Sequence, residues 1–467
     1  MSYKKRLENV QVERFAGEGR CVSRIEEKVI FIEGAIPGDI ADLQIIENKK
    51  NYAVALPTHF HQRSADYVEP FCEHFGICGG CKWQHLQYHK QIEYKQQYVI
   101  ETLQRIGKVE IQEVLPIIGA SSQKYYRNKM EYTFTHARWL SAEEIHSQQV
   151  IDRRGLGFHI PKHFDKVLDI QTCYLQNDVA NQIRNRLREF AKQRNFSFFH
   201  LKEKKGFLRG IVLRNNSVGQ WLVLVQFGEN HASAIEEVMQ FLHQNFPMIV
   251  SLNYVINTKL NDSYADLPVI TYFGDSFIVE TMENFRFRVG VKSFYQTNSE
   301  QAYELYKKVR EFAGLSGKEI VYDLYTGTGT IALFVSKKAR KVVGIECVPE
   351  AIEDAKINAF LNQVQNAYFF VGDIKDVLKD DFIFAQGKPD VIIADPPRNG
   401  MSTEVIKKLL DIESPRLVYI SCNPATQARD LQLLAKKYRV KKIQPVDMFP
   451  HTYHVENIAL LEKATTI

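Results

Sequence analysis

The feature that most limits what this chain can become begins after Asn298. From there short apolar runs alternate with helical stretches, and Ile320–Leu324, Val342–Ile345, Tyr368–Val371, Val391–Ala394 and Leu417–Ile420 read as strands. A capped helix precedes them, with Ala302, Leu305, Tyr306, Val309, Phe312 and Ala313 on one face and Gly314 as its stop. Short apolar strands in that rhythm predict a doubly wound, mostly parallel sheet whose ligands bind at the carboxyl ends of the strands. At roughly 150 residues per domain, the 467 residues amount to about three domains, and this sheet is the last of them.

The strand ends carry the chemistry. The first strand runs out as Asp323-Leu-Tyr325-Thr-Gly327-Thr-Gly329, where two glycines let the backbone turn tightly and approach a ligand. The second ends at Glu346, nineteen residues after Gly327, where a carboxylate can accept from both hydroxyls of a ribose. The third glycine of a dinucleotide loop is missing, and D-x-x-x-G-x-G points instead to S-adenosylmethionine. The fourth strand ends Asp395-Pro396-Pro397-Arg398-Asn-Gly400, a rigid extended loop because proline cannot continue a ladder. The fifth ends Ser421-Cys422-Asn-Pro, which presents a thiol at the same edge, and His454-Val-Glu456-Asn leads into a last strand, Ile458–Leu461.

A thiol, a carboxylate and a methyl donor in one cleft suit a particular reaction. C5 of uracil is a poor nucleophile. A thiolate that adds at C6 turns C5 into an enolate carbon that attacks a methyl sulfonium, and a base then removes the C5 proton so that the thiol is eliminated. Methylation of an exocyclic amine, the other chemistry associated with Asp-Pro-Pro, leaves Cys422 and Glu456 without a task.

The rest of the chain is less explicit. Residues 1–60 read as about five short strands, either a small oligonucleotide-binding type of barrel or a structural β-cap. His85–Ile106 reads as a helix stopped by Gly107. Between 108 and 292 two basic, aromatic stretches stand out, Lys124-Tyr-Tyr-Arg-Asn-Lys129 and Lys202–Arg214. Such stretches grip phosphates and stack on bases, or are solvated faces. The excess of 60 Lys and Arg over 55 Asp and Glu, a net +5, does not choose between them. Seven cysteines, three of them within Cys72–Cys81, do not make a secreted disulfide scaffold. Met-Ser-Tyr-Lys-Lys-Arg lacks the apolar core of a signal peptide, and no window suits a membrane span; the expectation is a soluble cytoplasmic protein.

Ser293-Phe-Tyr-Gln296-Thr-Asn298, Asp323-Leu-Tyr325-Thr-Gly-Thr-Gly, Asp395-Pro-Pro-Arg, Ser421-Cys422-Asn-Pro and His454-Val-Glu456-Asn, in that order over roughly the last 175 residues, resemble the RNA uracil-C5 methyltransferase family. The resemblance implies that Gln296, Tyr325, Gly327, Gly329, Glu346 and Asp395 bind S-adenosylmethionine, that Cys422 is the nucleophile, that Glu456 is the base and that Arg398 helps place the RNA. Cys72-x5-Cys78-Gly-Gly-Cys81 resembles the cluster segment of the iron–sulfur-containing 23S rRNA members, with Cys173 as fourth ligand. It implies a structural or RNA-ordering [4Fe–4S] cluster, with zinc the alternative that thiolate chemistry alone allows. Cys21 and Cys347 are then ordinary strand residues. Tyr126-Arg127-Asn128-Lys129 resembles the central domain of that family, which gives Lys124, Tyr126, Arg127, Asn128 and Lys129 an RNA-gripping role.

The expected architecture is an α/β multidomain chain. It has an N-terminal RNA-binding barrel of the TRAM, OB-like type (1–60), a cysteine segment (61–84), a helix packing on the catalytic domain (85–107), a mixed α+β central RNA-binding domain (108–292) and a Rossmann-like methyltransferase sheet (293–467). The expected substrate is 23S rRNA, of the uracil-1939 type, with no membrane and no obligate protein partner. The alternatives are a tRNA uracil, an exocyclic amine, and a non-catalytic RNA-binding assembly factor.

Overall fold

A computed structural model describes residues 5–147 and 149–464, so Met1–Lys4 of the opening stretch lie outside it. The chain divides into two compact units. One comprises the residues up to Tyr98 together with Phe449–His454, and the other Val99–Met448 with the chain from Val455 onward.

The first unit contains a six-stranded sheet ordered Arg6–Gln11, Ile40–Asn48, Tyr52–Gln62, Lys28–Ile32, Cys21–Ile25, Arg14–Phe15. Alternation along these strands sends Val10, Ile30, Ile32, Leu43 and Ala53 into one small core, with the fully buried Cys21 among them. Beyond Gln62 the chain follows an irregular path through Cys72, Cys78 and Cys81 to the Tyr88–Arg105 helix. Trp83 and Leu86 give that stretch an apolar anchor against Ile36, Tyr94 and Tyr453.

The second unit carries three sheets. A seven-stranded one is built around Leu208–Asn215, which lies between Lys129–Thr135 and Trp221–Phe227. A hairpin of Phe277–Met282 and Phe285–Gly290 follows. The third sheet is the one announced by the sequence. Its strands are β1 (Ile320–Leu324), β2 (Lys341–Glu346), β3 (Ala367–Val371), β4 (Val391–Ala394), β5 (Arg416–Ser421), β6 (Tyr438–Val446) and β7 (Glu456–Lys463). They are ordered β3-β2-β1-β4-β5-β7-β6, with Ile111–Val114 added beyond β6. The first five pair in parallel; β7 inserts antiparallel between β5 and β6. A parallel sheet must be covered on both faces, and its strands are accordingly apolar throughout. Val343, Ile345, Ile392, Leu417 and Tyr419 share one core with Val99 and Leu103 from the end of the Tyr88–Arg105 helix.

The Ser299–Ala313 helix introduces this sheet. The Asn298 side chain accepts from the Gln301 amide at 3.2 Å and caps it, and Gly314 ends it in the left-handed region at φ 57°. Its buried face is the expected Ala302, Leu305, Tyr306, Val309, Phe312, Ala313, with Gln301 added. A methyl group on Gly314 would stand 2.3 Å from Arg416 Nη1, which bonds the Ala313 carbonyl at 2.7 Å. Gly314→Ala therefore combines a left-handed alanine with a displaced arginine, and urea unfolding should register a loss of about 1–2 kcal/mol.

Candidate active site

The loop after β1 holds three residues in the left-handed region within five positions: Tyr325 (φ 62°), Gly327 (φ 55°) and Gly329 (φ 79°). The two glycines meet different demands. No atom lies within 4 Å of where a Cβ on Gly327 would stand, so its backbone borders open space. A Cβ on Gly329 would come to 3.0 Å from Ala355 and 3.1 Å from Phe369, so it is needed for packing as well as for φ. Tyr325 has no such freedom and is strained, a condition that recurs at functional sites.

Across the loop, backbone groups aim the Glu346 carboxylate. Gly327 N–H donates to its Oε2 at 3.3 Å, and the Cys347 and Val348 amides donate to Oε1 at 2.8 and 3.1 Å. Cys347, expected to be a strand residue, is instead exposed one position past β2, with its thiol 3.2 Å from the same oxygen. β2 ends at Glu346 because the carboxylate captures the next two amides.

Gln296 lies in an irregular loop held from a distance. Asn128 donates through Nδ2 to the Gln296 carbonyl and to Ser299 Oγ, both at 2.9 Å, and through its backbone N–H to the Thr297 carbonyl at 2.7 Å. Its reach across 168 residues joins the seven-stranded sheet to the loop before the Ser299–Ala313 helix. At the helix start Asn298 Nδ2 donates to the Met448 carbonyl and Gln301 Nε2 to that of Asp447.

The remaining groups meet at the carboxyl edge of the sheet. Leu324 pairs with Ala394, which sets Asp395 beside Tyr325. Ser421 pairs with Asn457 at the end of this antiparallel ladder, so Cys422 leaves β5 where Glu456 begins β7, and the Glu456 charge acts on the Cys422 thiol. Gln427 and Asn457, both fully buried, join the Pro424–Leu434 helix to β7, with Asn457 Nδ2 donating to Gln427 Oε1 at 2.8 Å.

This edge is crowded with acids and poor in water. Desolvation pushes the Asp323 carboxyl up to about 7, with the Asp395 charge adding to it and a 2.5 Å bond from Thr326 Oγ1 opposing it. Asp395 also rises to about 7 by desolvation. Glu456 rises to about 8, by desolvation first and then by the Asp395 charge, with Arg398 opposing. The Cys422 thiol goes up to about 11 by desolvation and by the Glu456 and Asp395 charges, again with Arg398 opposing. Burial also raises the Tyr306 phenol, and Asp395, Asp323 and Glu456 add to the rise. The site can thus hold protons on carboxyls at neutral pH, and a cation entering it would be welcomed.

A model of the tRNA (uracil-5-)-methyltransferase family matches residues 271–464, and one of the TRAM domain matches residues 2–56. An uncharacterized RNA methyltransferase of Bacteroides thetaiotaomicron is 53% identical over 96% of this chain and 99% of its own. The chain belongs to the RNA uracil-5 methyltransferase family. A relative from Porphyromonas gingivalis, also described as an RNA methyltransferase, is 48% identical over 98% of this chain and the whole of its own. Among solved structures, the Pyrococcus abyssi tRNA (uracil-54, C5)-methyltransferase in complex with S-adenosyl-L-homocysteine superposes with a TM-score of 0.76. It is 28% identical and covers 97% of this chain and 100% of its own. The protein is an S-adenosylmethionine-dependent RNA methyltransferase with an N-terminal TRAM domain and a Rossmann-like catalytic sheet.

In this RNA uracil-5 methyltransferase, Tyr325, Gly327, Gly329, Glu346, Asp395, Cys422 and Glu456 all occupy the carboxyl edge, and Arg398 acts electrostatically on both Cys422 and Glu456. The basic stretches divide between exposed and buried side chains, with Lys202 and Lys205 exposed. Lys124 is exposed, with its ammonium 5.3 Å from the Tyr174 ring, while Arg127 and Lys129 are half-buried. Tyr126 and Asn128 are buried, and Asn128 is committed to the Gln296 loop rather than presented to a ligand. Arg209 and Arg214 are buried too, because Leu208–Asn215 is an interior strand. Arg209 donates to the carbonyls of Asn257, Lys259 and Asn261.

Cys72, Cys78 and Cys81 are half-buried and Cys173 is buried. Gly80 N–H donates to Cys78 Sγ at 3.5 Å. Their thiols are the right donors for a cluster, but among the described residues no group of three or more His, Cys, Asp or Glu is placed to hold a metal ion. Also among the described residues, no helix is long and apolar enough to cross a membrane.

The sequence gives Asn128 an RNA-gripping role and leaves no sign of its bond to the distant Gln296 loop. Tyr306 reads as one more core residue of an amphipathic helix, with its hydroxyl the available hint.

The raised carboxyls have a sign that can be tested. Their folded values exceed the unfolded ones near 4, so the native state binds more protons between pH 4 and 8, and stability falls as pH rises through that window. Asp395→Asn should make the free protein more stable than wild type at pH 8, by about 1–2 kcal/mol. The difference should vanish near pH 4. Urea midpoints at the two pH values measure it, and equal midpoints at pH 8 would refute the buried-acid account.

Proposed function

We propose that this chain methylates C5 of a uridine in 23S rRNA, with Cys422 as nucleophile and Glu456 as the base that takes the C5 proton. The observation that carries this reading is the pairing of β5 with β7, which sets a thiol opposite a buried carboxyl at the same edge as the glycine loop. Gln296, Tyr325, Gly327, Gly329, Glu346 and Asp395 would hold S-adenosylmethionine. The open backbone at Gly327 and the oriented Glu346 carboxylate suit its ribose, and the uncompensated acids suit its positive charge. S-adenosylmethionine supplies the electrophilic methyl group.

The chain's own residues perform the rest. The Cys422 thiol gives its proton to solvent and the sulfur adds to C6 of the uracil, which moves electron density through C5 to O4. After C5 has been alkylated it carries both hydrogen and methyl. Glu456 removes that hydrogen, the C5–C6 double bond re-forms, and the C6–S bond breaks to release the thiolate. Arg398, exposed on its loop, opposes the acids around both groups and is placed to meet the RNA.

The choice of 23S rRNA rests on the Cys72, Cys78, Cys81, Cys173 set. The Pyrococcus abyssi enzyme named for tRNA uracil-54 matches nearly the full length of this chain, barrel and cysteine segment included, so length of match does not separate the two substrates. That likeness favours a tRNA uridine as the second reading. A cytoplasmic location follows from either substrate.

Cys422→Ala should abolish 5-methyluridine and any covalent RNA adduct. Glu456→Gln should form the adduct and retain it, visible as a protein–RNA band stable in denaturant; its absence would remove Glu456 from the role of base. In wild type, kcat/KM should climb as pH rises through about 8, where Glu456 loses its proton. Mapping 5-methyluridine in rRNA and tRNA from cells with and without the gene decides the substrate.

For the cluster, anaerobically purified protein should be brown, with iron and sulfide in equal amounts and both lost in Cys78→Ser. A colourless protein with stoichiometric zinc would overturn the iron assignment.

A further inference from the structure

The Pro424–Leu434 helix, which begins two residues after Cys422, is bonded along one side to the loop that carries Arg398. Asn423 Nδ2 and Thr426 Oγ1 both donate to the Arg398 carbonyl, at 3.2 and 3.1 Å. One turn further, Arg429 Nη2 donates to the carbonyls of Asn399 and Met401 at 2.9 and 3.1 Å. The adjacent Asp430, fully buried, accepts from the Met401 amide at 2.8 Å and from the Tyr419 hydroxyl of β5 at 2.7 Å, and its other oxygen pairs with Arg429.

The loop is shaped to receive these bonds. Gly400 N–H donates to the Pro397 carbonyl at 2.8 Å and closes a turn over Arg398-Asn399, with Gly400 at φ 74°. A Cβ on Gly400 would come within 2.6 Å of Asp430 Oδ2 and 2.7 Å of Arg429 Nη2, so only glycine lets the turn approach the helix this closely. Every carbonyl from Arg398 to Met401, apart from that of Gly400, is thereby tied to the helix that starts beside the thiol.

We propose that Thr426, Arg429 and Asp430 are positioning residues that lock the loop carrying Arg398 to the helix that begins beside Cys422, so that the spacing of loop and thiol is fixed before any RNA arrives. This rests on the assignment of Cys422 and Arg398 made above. A fully buried carboxylate is costly unless bonded, and here it is bonded on every side to the loop, to β5 and to its neighbouring arginine. That expense is understandable if the loop must be rigid, and the opposing influence of Arg398 on the Cys422 thiol is what the rigidity would preserve.

The proposal can be read without RNA or turnover. In the full-length protein, a cation held beside a thiol favours an anionic alkylating agent over a neutral one. The observable is the ratio of iodoacetate to iodoacetamide labelling at Cys422, located by peptide mass spectrometry, with exposed Cys347 as internal reference. Arg398→Ala should lower the ratio about threefold, the size expected of an exposed charge acting on a neighbouring group. Thr426→Val should lower it in the same direction, and Thr426→Ser should restore it. Asp430→Asn is the decisive variant, because removing a nearby negative charge would by itself raise the ratio, whereas releasing the loop lowers it. Combining Thr426→Val with Arg398→Ala should lower it no further than Arg398→Ala alone.

A wild-type ratio in Thr426→Val, a raised ratio in Asp430→Asn, or an unchanged ratio in Arg398→Ala would each overturn the proposal. The catalytic reading fails separately, through product formation by Cys422→Ala, so the two failures are distinguishable.

Discussion

Three carboxyl groups gathered where little water reaches them are what the rest of this active site answers to. Asp323, Asp395 and Glu456 come from the ends of β1, β4 and β7, and a sheet of this topology brings those ends to one edge. Each acid makes the ionisation of a neighbour harder, and Cys422 and Tyr306 are drawn into the same field. That crowding of charge is relieved by protons at neutral pH and by a positively charged occupant when one is bound. The donor of this family carries its positive charge on the sulfur that surrenders the methyl, so the attraction is greatest before transfer and weaker after it.

The catalytic half was legible because its determinants are local. Glycines in the left-handed region, a proline doublet, an asparagine cap and a terminal Gly314 each act within a few residues, and each leaves a mark in the sequence. The neighbouring strands followed for the same reason, since strands buried on both faces are apolar runs. β6 is the exception, because Lys441, Lys442 and Pro445 interrupt its pattern; the antiparallel ladder with β7 supplies the pairing that propensity does not.

What could not be read is what depends on distance along the chain. The Lys124–Lys129 and Lys202–Arg214 stretches have the composition of RNA grips, yet Asn128, Arg209 and Arg214 are buried. A long basic side chain in an interior strand looks the same in sequence as one on a surface. Only its partners, such as the three carbonyls around Arg209, reveal that it is bracing loops. Asn128 is the sharper instance: the seven-stranded sheet reaches through it to the loop that carries Gln296, so that sheet serves as a splint for that loop.

The ladder between β5 and β7 also acts as a ruler. Adjacent strands lie about 4.8 Å apart whatever their side chains, so the separation of Ser421 and Asn457, which adjoin the thiol and the acid, is set by backbone hydrogen bonds rather than by any loop. Loops can lengthen, change charge or be exchanged without altering that interval. The spacing at this edge is thereby written into the sheet, while the loops around it are free to drift.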